Sequence, residues 1–250
     1  MGMELPDLNG KVAVITGASR GLGAGLAEDF LARGMKVALN ARSPLPFEEG
    51  ESILTRQFDV SDAQAMEEFC AATVAKFGQI DLWINNAGIL DPVVKARDLD
   101  GPSLYKSLNV NVLGVLFGSQ SFLRHVESRP GEGVLLNISS GAAYGGYAGW
   151  AAYCMGKASV ERLSETLQLE EGKNGLRCFA VAPGIIDTDM QAQIRGCAEE
   201  VFPNVAQFHE YKEKDLYNTV GHIAKHLLQM AFVPTARPDT VSARIPSEKS

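Results

Sequence analysis

What these 250 residues lack narrows the field first. Cysteine is scarce: the four present, Cys70, Cys154, Cys178 and Cys197, are irregularly spaced and form no CxxC pair. That excludes a zinc ribbon and a secreted disulfide framework, leaving reduced thiols that fill core or interface space. No metal site is expected. No apolar run approaches the roughly 20 residues that cross a bilayer, and the opening MGMELPDLNGK has no basic region leading into an apolar one. A membrane partner is therefore not expected, and a cytoplasmic location is. Positive charge is also short: 23 Lys and Arg against 30 Asp and Glu leave a formal charge of -7. That balance argues against nucleic acid as a partner. Internal repeats and long linkers are missing too, so the expectation is one domain over 1–250, with 231–250 as a possible edge strand and tail.

Apolar residues make up 46% of the chain, enough to bury a sheet on both faces. Short apolar runs at Val12 to Thr16, Val37 to Ala41, Ile80 to Ile84, Val134 to Ser139 and Leu176 to Ala182 read as strands. A further strand is expected to end around Phe58, Asp59 and Val60. Helical spacing fills the intervals: Leu22 to Leu31, a stretch towards Gly78 opened by Ser61 and Gln64 as a capping box, most of Leu104 to Val126, Trp150 to Glu170, and His209 to Met230. This alternation predicts an α/β Rossmann fold whose mostly parallel sheet is covered by helices on both faces. Only a short segment, Ser43 to Gln57, joins the second and third strands, too little for a full crossover helix. Pro234, Pro238 and Pro246 break up the tail, although Val241 to Ile245 could add an edge strand.

The first strand runs into GASRGLG, with Gly17, Gly21 and Gly23 separated by Ser19, Arg20 and Leu22. Glycine there allows a tight turn and close approach of backbone to a pyrophosphate, whose charge is favoured at a helix N-terminus. No GKS or GKT follows, so this is not a Walker loop. The second strand ends NARS. A carboxylate at that point would hold the ribose hydroxyls of NAD, whereas here Ala41 is neutral and Arg42 is cationic. Arg20 and Arg42 together can grip an added 2'-phosphate, which points to NADP(H).

Tyr153 and Lys157 lie four apart and share a helical face. A free phenol titrates near 10, and a neighbouring ammonium is expected to lower that value towards acid–base use. GASRGLG, NNAG from Asn85, NVLG from Asn111, ISS ending at Ser140, YCMGK from Tyr153 and PGIIDTDM from Pro183 follow in order. In that combination the chain resembles the short-chain dehydrogenase/reductase family over nearly all of residues 8 to 230. The resemblance implies a catalytic set of Asn111, Ser140, Tyr153 and Lys157. It selects Ser140 over Ser139 and Asn111 over Asn109. Tyr153 would donate a proton to the developing alkoxide, Ser140 would hydrogen-bond the carbonyl oxygen, Lys157 would also reach the nicotinamide ribose, and Asn111 would hold a water linked to Lys157. Asp59 and Val60 would meet the adenine. Asn86, Ala87 and Gly88 would line the nucleotide channel, and Pro183, Gly184, Ile186 and Thr188 the nicotinamide end.

Within the family, GWAAYCMGKA followed by PGIIDTDMQAQIR is similar to the sepiapterin reductase and benzil reductase branch. That likeness implies reduction of a small-molecule ketone, an aromatic or vicinal diketone above all. Ala142, Tyr144, Tyr147 and Trp150 could wall a pocket for such a substrate, or Trp150 could simply anchor the helix. The tail has no aspartate placed to anchor a pterin, since Asp239 comes too early. Other readings stay open: a sepiapterin reductase, a general ketone or ketoacyl reductase, an alcohol dehydrogenase, or a nucleotide-binding regulatory protein without turnover. Family precedent implies a homo-oligomer through the helices carrying Asn111 and Tyr153. The tail lacks a typical closing-strand sequence, which favours a dimer over a tetramer.

Overall fold

The computed structural model describes residues 4–249. Seven strands form one parallel sheet: β1 (Val12–Thr16), β2 (Lys36–Ala41), β3 (Ile53–Gln57), β4 (Leu82–Asn85), β5 (Gly133–Ile138), β6 (Leu176–Ala182) and β7 (Ser242–Arg244). Their order is β3-β2-β1-β4-β5-β6-β7. The chain leaves β1 in one direction and returns to β4 on its other side, so the crevice at the carboxyl ends of β1 and β4 is the switch point where such sheets bind ligands.

The central strands are buried on both faces because helices cover both. Ala13 and Ile15 pack with Leu26 and Phe30 of α1 (Gly21–Ala32) and with Ile223 and Leu227 of α8 (Val220–Phe232). The alternate residues Val12 and Val14 join Met66 and Phe69 of α2 (Ala63–Phe77) and Phe122 of α4 (Gly114–Glu127). Alternation along the strand thus places one core on each face. Two further helices, α3 (Gly101–Leu108) and α5 (Ala151–Glu171), lie before and after this region, while α6 (Asp189–Arg195) and α7 (Val205–Glu213) follow β6.

Several boundaries differ from the sequence-based expectation, each for a local reason. The helix expected over Leu104 to Val126 is interrupted by a π-type turn at Asn109–Leu113. The one expected over His209 to Met230 is split into α7 and α8. Between them Asn218 donates to the carbonyls of Pro183 and Pro246, and Thr219 accepts from His222 N at 3.2 Å as the N-cap of α8. Those side-chain bonds compete with helix continuation. Asp62, not Ser61, caps α2, accepting from Ala65 N at 3.0 Å, because the Ser61 hydroxyl is committed to Asp59. The third strand stops at Gln57, before Phe58. No helix intervenes between β2 and β3, as the short segment predicts. The tail does contribute a closing strand, β7, paired parallel to β6. Strand pairing supplies what its sequence lacks, and the ground for preferring a dimer over a tetramer falls with it.

Candidate active site

A cleft of about 670 Å³ opens at the switch point and receives the ends of β1, β2, β5 and β6 and the start of α5. Gly17 lies at its floor with φ +70, and a Cβ there would sit 2.7 Å from Ala87 Cα. Only glycine permits this turn and this approach. Gly23 is equally confined, since its Cβ would fall 2.4 Å from Gly17 O. Asn86 closes the arrangement by donating to Thr16 O at 2.9 Å. Arg20, the N-cap of α1, forms no side-chain cap. The first-turn N–H groups of α1 therefore keep donor capacity at a cradle of glycines, which suits a pyrophosphate.

At the other end of the nucleotide half, Ser43 donates to Ser19 at 3.0 Å, joining the glycine loop to the segment after β2. Arg42 sits 3.5 Å from Asp59 and Arg20 3.2 Å from Asp189, all four lining the cleft. Burial raises the Asp59 pKa, but hydrogen bonds from Ser61 and the charge of Arg42 outweigh it and leave the carboxyl below its usual value. Both guanidinium groups are mostly exposed, so these ion pairs hold them weakly.

The chemical end is built on β5 and α5. Tyr153 and Lys157 are both buried and line the cleft. Lys157 Nζ donates to Ile138 O at 2.7 Å and lies 5.7 Å from the centre of the Tyr153 ring. Ser140 lines the same end of the cleft. The expected lowering of the Tyr153 pKa is not what the protein alone produces: burial pushes it up to about 12, opposed by the nearby Ser140 hydroxyl. Burial also lowers Lys157 to about 8, opposed by the charge of Glu161. Desolvation is the largest cause for both groups.

Asn111 is buried in the π-type turn, where it accepts from Ile89 N at 3.0 Å and donates to Ile89 O at 2.8 Å. A Cβ on Gly88 would lie 3.1 Å from Asn111 Oδ1 and 3.6 Å from Lys157 Nζ, so the two side chains flank Gly88. Asn109 is exposed, and Ser139 turns its hydroxyl away to Glu161. Of the catalytic and cofactor-binding residues named from the sequence, Asn111 and Gly23 support the cleft without lining it. The others line it: Gly17, Ser19, Arg20, Gly21, Leu22, Ala41, Arg42, Asp59, Val60, Asn86, Ala87, Gly88, Ser140, Tyr153, Lys157, Pro183, Gly184, Ile186 and Thr188.

Trp150 both lines the cleft and anchors the helix. It stacks on Phe202 at 4.6 Å and meets Tyr153 edge-on at 5.6 Å. Ala142 and Tyr147 share its wall, but Tyr144 does not, since its hydroxyl donates to Glu161 at 2.8 Å. Two residues escaped sequence reasoning. Glu161, one turn beyond Lys157, is buried and also accepts from Ser242 at 2.5 Å; its spacing on α5 was the available signal. Arg244 enters from β7, and no local pattern marks it.

A nucleotide cradle at the switch point, beside a buried phenol, serine hydroxyl and ammonium, defines an α/β oxidoreductase that draws on a nicotinamide nucleotide. The short chain dehydrogenase family model matches residues 11–198, and the chain belongs to that family. It is 35% identical to 3beta-hydroxysteroid dehydrogenase 1 of Eggerthella lenta over 75% of each chain. It is 29% identical to the (S)-benzoin-forming benzil reductase of Bacillus subtilis, over 87% of this chain and 91% of that one. The solved KRED1-Pglu enzyme superposes with a TM-score of 0.80 at 30% identity, covering 89% of this chain and 95% of that one. The family uses NAD(P)(H) and acts on small molecules. No helix among the described residues is long and apolar enough to cross a membrane, and no group of three or more His, Cys, Asp or Glu among them could hold a metal ion.

Proposed function

We propose that this protein is an NADPH-dependent carbonyl reductase whose substrate is an aromatic or vicinal diketone. The observation that carries the reading is the buried Tyr153 phenol, with Lys157 Nζ 5.7 Å from its ring centre and Ser140 lining the same end of a nucleotide-sized cleft. The bound nicotinamide nucleotide supplies the hydride. Tyr153 gives its proton to the oxygen that becomes an alkoxide, and Ser140 holds that oxygen in place. The Lys157 ammonium, fixed by Ile138 O, stabilises the phenolate left behind. Asn111 pins the Ile89 backbone and so keeps the loop at Gly88 against Lys157. In the protein alone burial keeps the Tyr153 phenol protonated, so it holds the proton that the developing alkoxide takes.

NADPH is favoured over NADH by Arg20 and Arg42 at the ribose end, with Ala41 neutral between them and the strand. Diketones are favoured by the aromatic wall of Tyr147 and Trp150 and by the benzil reductase relative. We also infer a homo-oligomer. An apolar groove formed by Val112 and Leu116 with Leu163 of α5 is available for it. A cytoplasmic location belongs to the same reading. A carbonyl panel run with NADPH and NADH side by side tests it, including benzil, a quinone, sepiapterin and simple aldehydes. Benzil reduction with NADPH preferred is the expected result. Oxidation of a 3β-hydroxysteroid with NAD+ and no diketone turnover would replace the reading.

A further inference from the structure

We infer that Arg244 forms an anion-binding subsite at the substrate end of the cleft, so that the ketone carries a carboxylate beside its carbonyl. This rests on the carbonyl reductase reading and extends its substrate class from neutral diketones to aryl 2-oxo acids. Arg244 is the last residue of β7, set opposite Ala182 of β6, and Ile245 N donates to Ala182 O at 3.0 Å. Ala243 and Ile245 are buried in the core, which leaves Arg244 on the other side of the strand, where it lines the cleft. Its Nη2 lies 3.6 Å from where a Cβ on Gly141 would stand, and Gly141 follows Ser140. The guanidinium is thus within one residue of the serine that meets the phenol.

Its charge has no counterpart there. Arg20 and Arg42 are paired with Asp189 and Asp59, whereas Arg244 makes no ion pair among the described residues. The carboxylate on that side is Glu161, and its oxygens already accept from Ser139, Tyr144 and Ser242. The positive field of Arg244 reaches the hydroxyls of Tyr144 and Tyr211, and Tyr211 also lines the cleft. A planar cation with free donors, mounted on a paired strand, recognises a carboxylate through two parallel hydrogen bonds.

An aryl 2-oxo acid fits all three features at once. The ring lies against Tyr147 and Trp150, the ketone oxygen meets Tyr153 and Ser140, and the carboxylate replaces the second carbonyl of a vicinal diketone. In the reaction the ketone carbon gains a hydride and its oxygen the Tyr153 proton. One equivalent of reduced nicotinamide nucleotide is oxidised, and the carboxylate is unchanged.

The test compares benzoylformate with its neutral methyl ester in the wild type, Arg244→Gln and Arg244→Glu. The wild type should favour the acid in kcat/KM, and Arg244→Gln should cut that value for the acid by about 10-fold or more. The ester should change by less than about 3-fold, and Arg244→Glu should reject the acid further. No wild-type preference for the acid, or equal losses on both substrates, would overturn the subsite. Calorimetric titration with benzoylformate needs no turnover and separates the two readings. If neither compound is reduced, the reductase reading fails. The subsite then stands if Arg244→Gln abolishes benzoylformate binding, and falls if the wild type does not bind it or the variant binds it equally.

Discussion

The proposed coenzyme preference and the proposed acid–base behaviour each rest on single side chains. Arg42 follows β2, exposed and 3.5 Å from Asp59, and in the proposed reading its hydrogen bonds go to a 2'-phosphate. Arg42→Ala is expected to weaken NADPH by about 10- to 100-fold while leaving NADH nearly unchanged, since charge-assisted bonds are worth about 1.5–3 kcal/mol. Coenzyme titrations by fluorescence check this, and equal losses would remove the phosphate role. Lys157 gives a prediction in pH. Burial lowers its pKa from 10.5 to about 8, so the ammonium that steadies the Tyr153 phenolate is charged below that value and neutral above it. Ketone reduction should therefore decline as pH rises through about 8. Stability moves the other way: between about 8 and 10.5 the unfolded chain holds the lysine proton and the folded chain does not, so this group's contribution to folding rises with pH. A falling rate with a steady or rising Tm across that window separates the two effects. A flat rate profile to pH 9.5 would show that the lysine charge is not used.

At the scale of elements, the strands and glycine turn were legible because their signals are local. Val12 to Thr16 running into Gly17 announces both a buried strand and a loop that only glycine can form. The interrupted elements were less visible. The π-type turn at Asn109–Leu113 carries the same apolar residues as a continuous helix, and only its bonds to the Ile89 backbone reveal the break. Leu216 continues the helical spacing of α8 but lies in the linker, because Asn218 bonds the distant Pro183 carbonyl and Thr219 caps the start of α8. β7 was only a possibility in the sequence, since three residues between prolines form a strand through pairing with β6. The groove between Val112 and Leu163 belongs to this scale as well. Sedimentation equilibrium should give a multiple of the chain mass, and charge placed there by Leu116→Lys should lower it. A wild-type mass of one chain would remove the oligomer.

For the whole molecule, fold and reaction class were readable together because the motifs come in the order the topology needs. Residues more than a hundred apart meet at one crevice only when β1 and β4 flank a switch point. What the sequence could not show is long-range: that Glu161 would bind Ser242, or that Arg244 would arrive beside Gly141. Burial was hidden too, and it reverses the expected effect of Lys157 on Tyr153. The central claim is that this phenol is the proton donor of a ketone reduction. It is tested most directly by steady-state turnover of Tyr153→Phe on benzil with NADPH, alongside the NADPH dissociation constant of the same variant. A loss of about 10²–10⁴-fold in kcat is predicted, with nucleotide affinity changed little. Full turnover in the variant would contradict the account.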